Sequence, residues 1–208
     1  RLAVGKKAVS STGERFVAVQ PTFVDLMRKA ARGPQVVPFK DTAQIIAVTG
    51  AAAGWTCLDA GGGSGFLALF LAHIVKPGLV TTYEQNKQHC ALITKNASRC
   101  GIDNITVKYG NVLTARTKKG FDLVTLDMMY ADKAVKKLHG AVTPGGWFAV
   151  YSPHIEQQMS VVDVMEKFHM QQIKTVETLQ REWKVDTRGY THPKPTQVVH
   201  TGFITFGR

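Results

Sequence analysis

The chain has 208 residues, 44% hydrophobic and 20% charged, which suits one α/β domain with a proper core plus a small appendage and excludes a second full domain. No apolar run reaches the roughly 18 residues that a membrane span requires, so a soluble protein is expected. Lysine and arginine number 26 against 15 aspartates and glutamates, a formal charge of +11 spread along the chain, which points to a polyanionic partner.

Cys57, Cys90 and Cys100 are odd in number and show neither CxxC nor any metal-type spacing. They are expected to be reduced and structural, in a cytoplasmic setting, and no metal site is expected. The first residue is Arg1, and no charged-then-apolar leader follows it.

In chain order, residues 6–20 read as a β-hairpin around Ser10-Ser11-Thr12-Gly13, and residues 21–31 as a helix. Two prolines make 32–39 a loop, and Asp41 is placed to cap a helix running to about Gly50. From Trp55 strands and helices alternate: strand 56–60, helix 64–75, strand 80–84, helix 88–100, strand 105–109, strand 121–127, helix 132–142, strand 147–151, helix 155–169. Such a succession predicts a parallel sheet with helices on both faces. Two β-rich runs, 172–185 and 198–206, then predict an antiparallel pair closing a mostly parallel seven-stranded sheet. Residues 1–40 are read as a hairpin and helix segment and 41–208 as the main domain.

The chemistry starts at Gly61-Gly62-Gly63-Ser64-Gly65, which follows the first parallel strand. Dinucleotide loops need a small sixth residue for close helix packing, and here the sixth is Phe66. A phosphate-binding loop of the NTPase kind needs Gly-Lys-Ser/Thr, and no lysine follows. What remains is an acid, Asp59, closing a strand before glycines at positions 61, 63 and 65, a backbone against which a compact zwitterion can lie. Glu84 ends the second strand, where an acid can accept both hydroxyls of a ribose. Together these describe a site for an amino acid joined to a nucleoside, S-adenosylmethionine, with Asp59, Gly61, Gly63, Ser64, Gly65 and Glu84 as contacts. Asn111, after the third strand, can meet the adenine. Asp127, closing the fourth, is a further cofactor contact and sits beside the transferable methyl, where a carboxylate can grip a nucleobase amino group and take its proton.

The combination of Arg32-Gly33-Pro34-Gln35, the 59–65 loop, Tyr83-Glu84, Leu126-Asp127, Tyr151-Ser152-Pro153, Arg181-Glu182-Trp183 and His200-Thr201-Gly202-Phe203 resembles the tRNA (adenine-58)-N1-methyltransferases of archaea and bacteria. The resemblance implies a Rossmann-like class I methyltransferase, a homotetramer acting on N1 of a T-loop adenine in tRNA. It implies that Asp127 holds the base, that His89 joins the cofactor contacts, and that Tyr151 lines the base pocket. Where the family carries a pocket tyrosine this chain has Pro38, with Phe39 able to stack, and Tyr130-Ala131-Asp132 replaces a Pro-Trp stretch. Two other readings fit parts of the pattern: a small-molecule or protein methyltransferase, which leaves the charge unexplained, and a catalytically silent RNA-binding subunit.

Overall fold

The computed structural model describes residues 3–33, 36–195 and 200–208. A hairpin of β1 (Lys7–Val9) and β2 (Arg15–Val17) forms a two-stranded sheet of its own. Helix α1 (Phe23–Arg28) is short; Thr22 and Asp25 close a reciprocal capping box at its start. Helix α2 (Phe39–Thr49) follows and stops at Gly50, whose φ of 71° supplies the left-handed cap.

The core alternates β3 (Cys57–Ala60), α3 (Phe66–Val75), β4 (Val80–Glu84), α4 (Lys87–Cys100), β5 (Ile105–Tyr109), β6 (Phe121–Leu126), α5 (Ala131–Leu138), β7 (Val142–Ser152) and α6 (Ile155–Lys167). After α6 come β8 (Lys174–Glu177), β9 (Trp183–Lys184), β10 (His192–Pro193) and β11 (Phe203–Gly207). The main sheet has seven strands in the order β5-β4-β3-β6-β7-β11-β8, with β11 antiparallel to both neighbours. The expected closing pair is therefore present. Its first run is nevertheless split, because β9 leaves the sheet to pair with β10 in a separate ladder. Residues 198 and 199 of the second expected run lie outside the described residues.

Register explains how one sheet serves two cores. Cys57, Leu123 and Trp147 stand in line across β3, β6 and β7, and so do Leu58, Val124 and Phe148 one residue later. Successive residues of a strand face opposite sides. The first row accordingly packs with Leu67, Leu71 and Val75 of α3, the second with Val135 and Leu138 of α5 and Val161 and Met165 of α6. Each fully buried leucine or valine of this kind contributes about 1.5–3 kcal/mol.

Three boundaries differ from expectation for local reasons. Asp41 does not cap α2; Pro38 stands at that position, and Asp41 lies inside the first turn with its side chain buried. The glycine loop holds on to Ser64 and Gly65, so α3 begins only at Phe66. The helix expected over 132–142 ends at Leu138 in a single 3-10 turn, His139–Ala141, and the chain then enters β7 five residues before Trp147.

Candidate active site

The carboxyl ends of β3, β4 and β6 converge on one crevice, the position where open α/β sheets bind ligands. Asp59, the third residue of β3, is in register with Thr82 of β4 and Thr125 of β6. Those two hydroxyls donate to its oxygens at 2.7 and 2.8 Å. Burial pushes its carboxyl up to about 6; the two hydroxyl bonds act in the opposite sense.

The glycines are demanded first by the protein's own packing. A Cβ on Gly61 would lie 1.9 Å from the Asp127 carbonyl oxygen, and one on Gly62 would meet Thr82 Oγ1 at 2.6 Å and Ile93 Cδ1 at 2.9 Å. Gly65, at φ 86°, would press on Ile93 at 3.0 Å. Gly62, which the pattern of alternate glycines does not single out, is also enclosed, by side chains where Gly61 meets backbone. Gly33 packs on Ser64, and Asn96 of α4 joins the two segments, bonding Ala31 through its N–H and carbonyl and donating to the Ser64 carbonyl at 2.9 Å. Asn96 escaped the sequence reading; its signal was an amide in the middle of an otherwise amphipathic helix.

Glu84 closes the other end of the crevice. One oxygen accepts from Gly63 N–H at 2.7 Å, the other from Asn86 N–H at 2.7 Å, and His89 Nδ1 lies 3.8 Å from the latter oxygen. Asn86 caps α4, which sets His89 in its first turn. Asn111 accepts from Leu113 N–H through its side-chain oxygen at 2.8 Å, so the amide NH2 is the group it can present to a ligand.

Asp127 follows the last residue of β6, and its N–H donates to the Ala60 carbonyl at 2.9 Å. Burial, reinforced by the neighbouring Asp59 charge, pushes its carboxyl up to about 7. It lines two spaces at once. On one side is a narrow cleft of about 10 Å³ between the glycine loop, Ser64, Phe66 and the overlying Val36 and Val37. On the other is a cavity of about 290 Å³ bounded by Met128, Met129, Tyr151, Pro153, His154 and Gln157.

A polar network fixes the far wall of that cavity. Lys40 donates to Asp41 at 2.8 Å, to the Thr178 carbonyl at 2.6 Å and to Thr201 Oγ1 at 2.7 Å, while Thr201 Oγ1 donates to Asp41 at 2.7 Å. The Tyr151 hydroxyl donates to the Thr201 carbonyl, and its ring lies where a Cβ on Gly202 would be, 2.5 Å from Cζ. Burial, with the Asp41 charge, pushes this phenol up to about 12, so it stays a donor. His200 meets two acceptors, Glu177 at 2.6 Å and the Pro153 carbonyl at 3.0 Å, an arrangement that suits the doubly protonated ring and ties β8 to the cavity rim. Its pKa is raised, chiefly by the Glu177 bond. Phe39 is placed elsewhere: it packs on Phe66 and Phe70, with ring centroids at 6.4 and 5.9 Å, and it does not line the cavity.

Two features decide what the narrow cleft accepts. Among the described residues Ser64 Oγ is buried without a hydrogen-bond partner, a group that a ligand can satisfy. Asp59, Asp127 and, at the loop's back, Glu84 make the surroundings acidic, which repels a pyrophosphate and favours a ligand carrying positive charge. At about 10 Å³ the cleft takes one water at most. Among the described residues no helix is long and apolar enough to cross a membrane, and no group of three or more His, Cys, Asp or Glu is arranged to hold a metal ion.

The chain is similar to known proteins in sequence and in fold. The chain is 31% identical over 92% of its length to a tRNA (adenine(58)-N(1))-methyltransferase of Thermus thermophilus, covering 76% of that protein. It is 28% identical over 98% of its length to a tRNA (adenine(57)-N(1)/adenine(58)-N(1))-methyltransferase of Methanocaldococcus jannaschii, covering 82%. Among solved structures it superposes on a SAM-dependent O-methyltransferase from Thermotoga maritima with a TM-score of 0.89, at 25% identity over 98% of this chain and 77% of that one. It also superposes on a tRNA (m1A58) methyltransferase from Aquifex aeolicus, with a TM-score of 0.85, at 19% identity over 99% and 90%, which speaks for the Rossmann-like methyltransferase fold. Residues 28–200 match the model of the tRNA methyltransferase complex GCD14 subunit, and the chain belongs to that family.

Proposed function

We propose that this protein transfers a methyl group from S-adenosylmethionine to N1 of an adenine in the tRNA T-loop, position 58 being the target its relatives' names indicate. The observation that carries the reading is the place of Asp127, a carboxylate in the wall between a cation-favouring cleft and a cavity of about 290 Å³.

When bound, S-adenosylmethionine supplies an electrophilic methyl on a sulfonium sulfur. Glu84 would hold its ribose, Asn111 and His89 would flank its adenine, and the loop of Gly61, Gly63, Ser64 and Gly65 with Asp59 would hold its amino-acid end. Asp127 accepts a hydrogen bond from the exocyclic amino group of the target base, orienting N1 toward the methyl. As N1 gains the methyl the purine becomes cationic, and the Asp127 carboxylate offsets that charge and can accept a proton from the amino group. Tyr151, held by Thr201 and Gly202, walls the base pocket. Swinging the base out of the RNA costs a few kcal/mol, which stacking and phosphate contacts offset. A homotetramer acting in the cytoplasm, with residues 1–40 as a segment preceding the methyltransferase unit 41–208, completes the proposal.

Incubating the protein with unmodified tRNA and labelled donor tests it. Label at N1 of one T-loop adenine is expected, with RNA affinity falling about a thousandfold from 50 to 200 mM salt. Salt-insensitive transfer to a small molecule would favour an enzyme of another substrate, and failure to bind the donor would favour a silent RNA-binding subunit.

A further inference from the structure

A second cavity, of about 300 Å³, lies against the one at Asp127 and shares Met129, Ser152 and Gln157 with it. Its remaining walls include Tyr130, Asp132, Val150, Ser160 and Val161. Tyr130 carries the strongest mark of a purpose. Its φ of 59° and ψ of 37° put a bulky ring residue in the left-handed region, which side-chain-bearing residues adopt rarely and chiefly where function requires it.

That conformation presents the ring rather than burying it. Tyr130 is 55% exposed beside Met129 at 68%, and the Lys133 ammonium sits over the Tyr130 ring, 4.4 Å from its centroid. An exposed aromatic and an exposed thioether at the mouth of a cavity form a stacking platform, and a nearby lysine can meet a backbone phosphate. Asp132 within the cavity disfavours phosphate there and can accept from a base amino group or a ribose hydroxyl.

We infer that this second cavity receives the nucleotide adjoining the target adenine, its base stacked on Tyr130 and Met129. The inference rests on the proposed RNA substrate and adds a flanking-base subsite to it. Met129, Ser152 and Gln157, common to both cavities, would stand between the two splayed bases.

The test uses T-loop RNA in which the nucleotide on one or the other side of the target lacks its base, turned over by the wild type, by Tyr130→Ala and by Ser160→Trp. Ser160 is exposed on α6, so a tryptophan there fills the cavity without disturbing the core. One of the two abasic substrates is expected to lower wild-type kcat/KM on the order of tenfold. Both variants are expected to lose a similar factor on intact RNA and nothing further on that abasic substrate, with donor affinity unchanged. Equal wild-type turnover of intact and both abasic RNAs, or losses that multiply, would overturn the subsite while leaving the methyltransferase reading in place. Absence of wild-type transfer to any RNA would overturn both.

Discussion

The two sides of Asp127 are built by different rules. On the donor side the glycine loop is locked to its neighbours: the Asp127 carbonyl fills the space beside Gly61, Thr82 and Thr125 grip Asp59, and Glu84 holds Gly63. On the acceptor side the walls are looser, with Met129 and Tyr130 largely exposed around open cavities. The donor is a single compact molecule and the acceptor a segment of a large polymer. A tight cradle suits the first; an open rim anchored at a few points suits the second.

The anchors of the open side should be the costliest to remove. Lys40→Met leaves the fully buried Asp41 with one hydroxyl donor from Thr201, and losing one partner of a buried pair typically costs about 3–5 kcal/mol. Thermal unfolding should show a drop of that order. The double change Lys40→Met with Asp41→Leu should recover most of it, and a drop under about 1 kcal/mol in the single variant would remove the network from the account.

Next comes the loop. Gly61→Ala places a methyl 1.9 Å from a backbone carbonyl at a φ of 88°, so about 3 kcal/mol of stability and most donor affinity should be lost. Gly62→Ala presses on Thr82 Oγ1 and on the buried Ile93 side chain rather than on backbone, and about 1–2 kcal/mol is expected. Calorimetric donor titration and unfolding of the pair measure the difference; equal effects would mean that the loop is less constrained by Asp127 than its geometry implies.

A smaller effect is expected from pH. The Asp127 carboxyl, raised to about 7, must be ionised to accept from the base, so transfer should climb with pH through the neutral range and level off near pH 8. Stability runs the other way. A group whose pKa is higher in the fold than in the unfolded chain stabilises most below the unfolded value, near 3.8, and that contribution is lost as pH rises through about 7. Asp127→Asn should therefore melt a few degrees higher than the wild type at pH 8, the difference shrinking as pH falls and closing near pH 4. A flat pH-rate profile in the wild type would count against ionisation of Asp127 as the controlling step.

The contrast also shows what a sequence can and cannot disclose. That the donor-side residues adjoin in one crevice is legible in the sequence because its determinants are local: Asp59 to Gly65 is one continuous stretch, and strand period carries Glu84 and Asp127 to the same edge. The acceptor side is assembled from Lys40, Tyr151 and Thr201, residues 50 to 161 positions apart whose meeting depends on β11 lying beside β7. No spacing rule announces such a contact. A carboxylate before a helix ordinarily caps it, and only the half-buried partners Lys40 and Thr201 reveal the different use of Asp41.

The account turns on Asp127 acting chiefly on the base, with most of the donor's hold supplied by its neighbours. Asp127→Ala, assayed in one preparation for calorimetric donor binding and for methyl transfer to unmodified tRNA, addresses that division directly. Donor affinity within a few-fold of wild type with transfer abolished is the expected result. Transfer at the wild-type rate, or donor binding lost together with transfer, would contradict it.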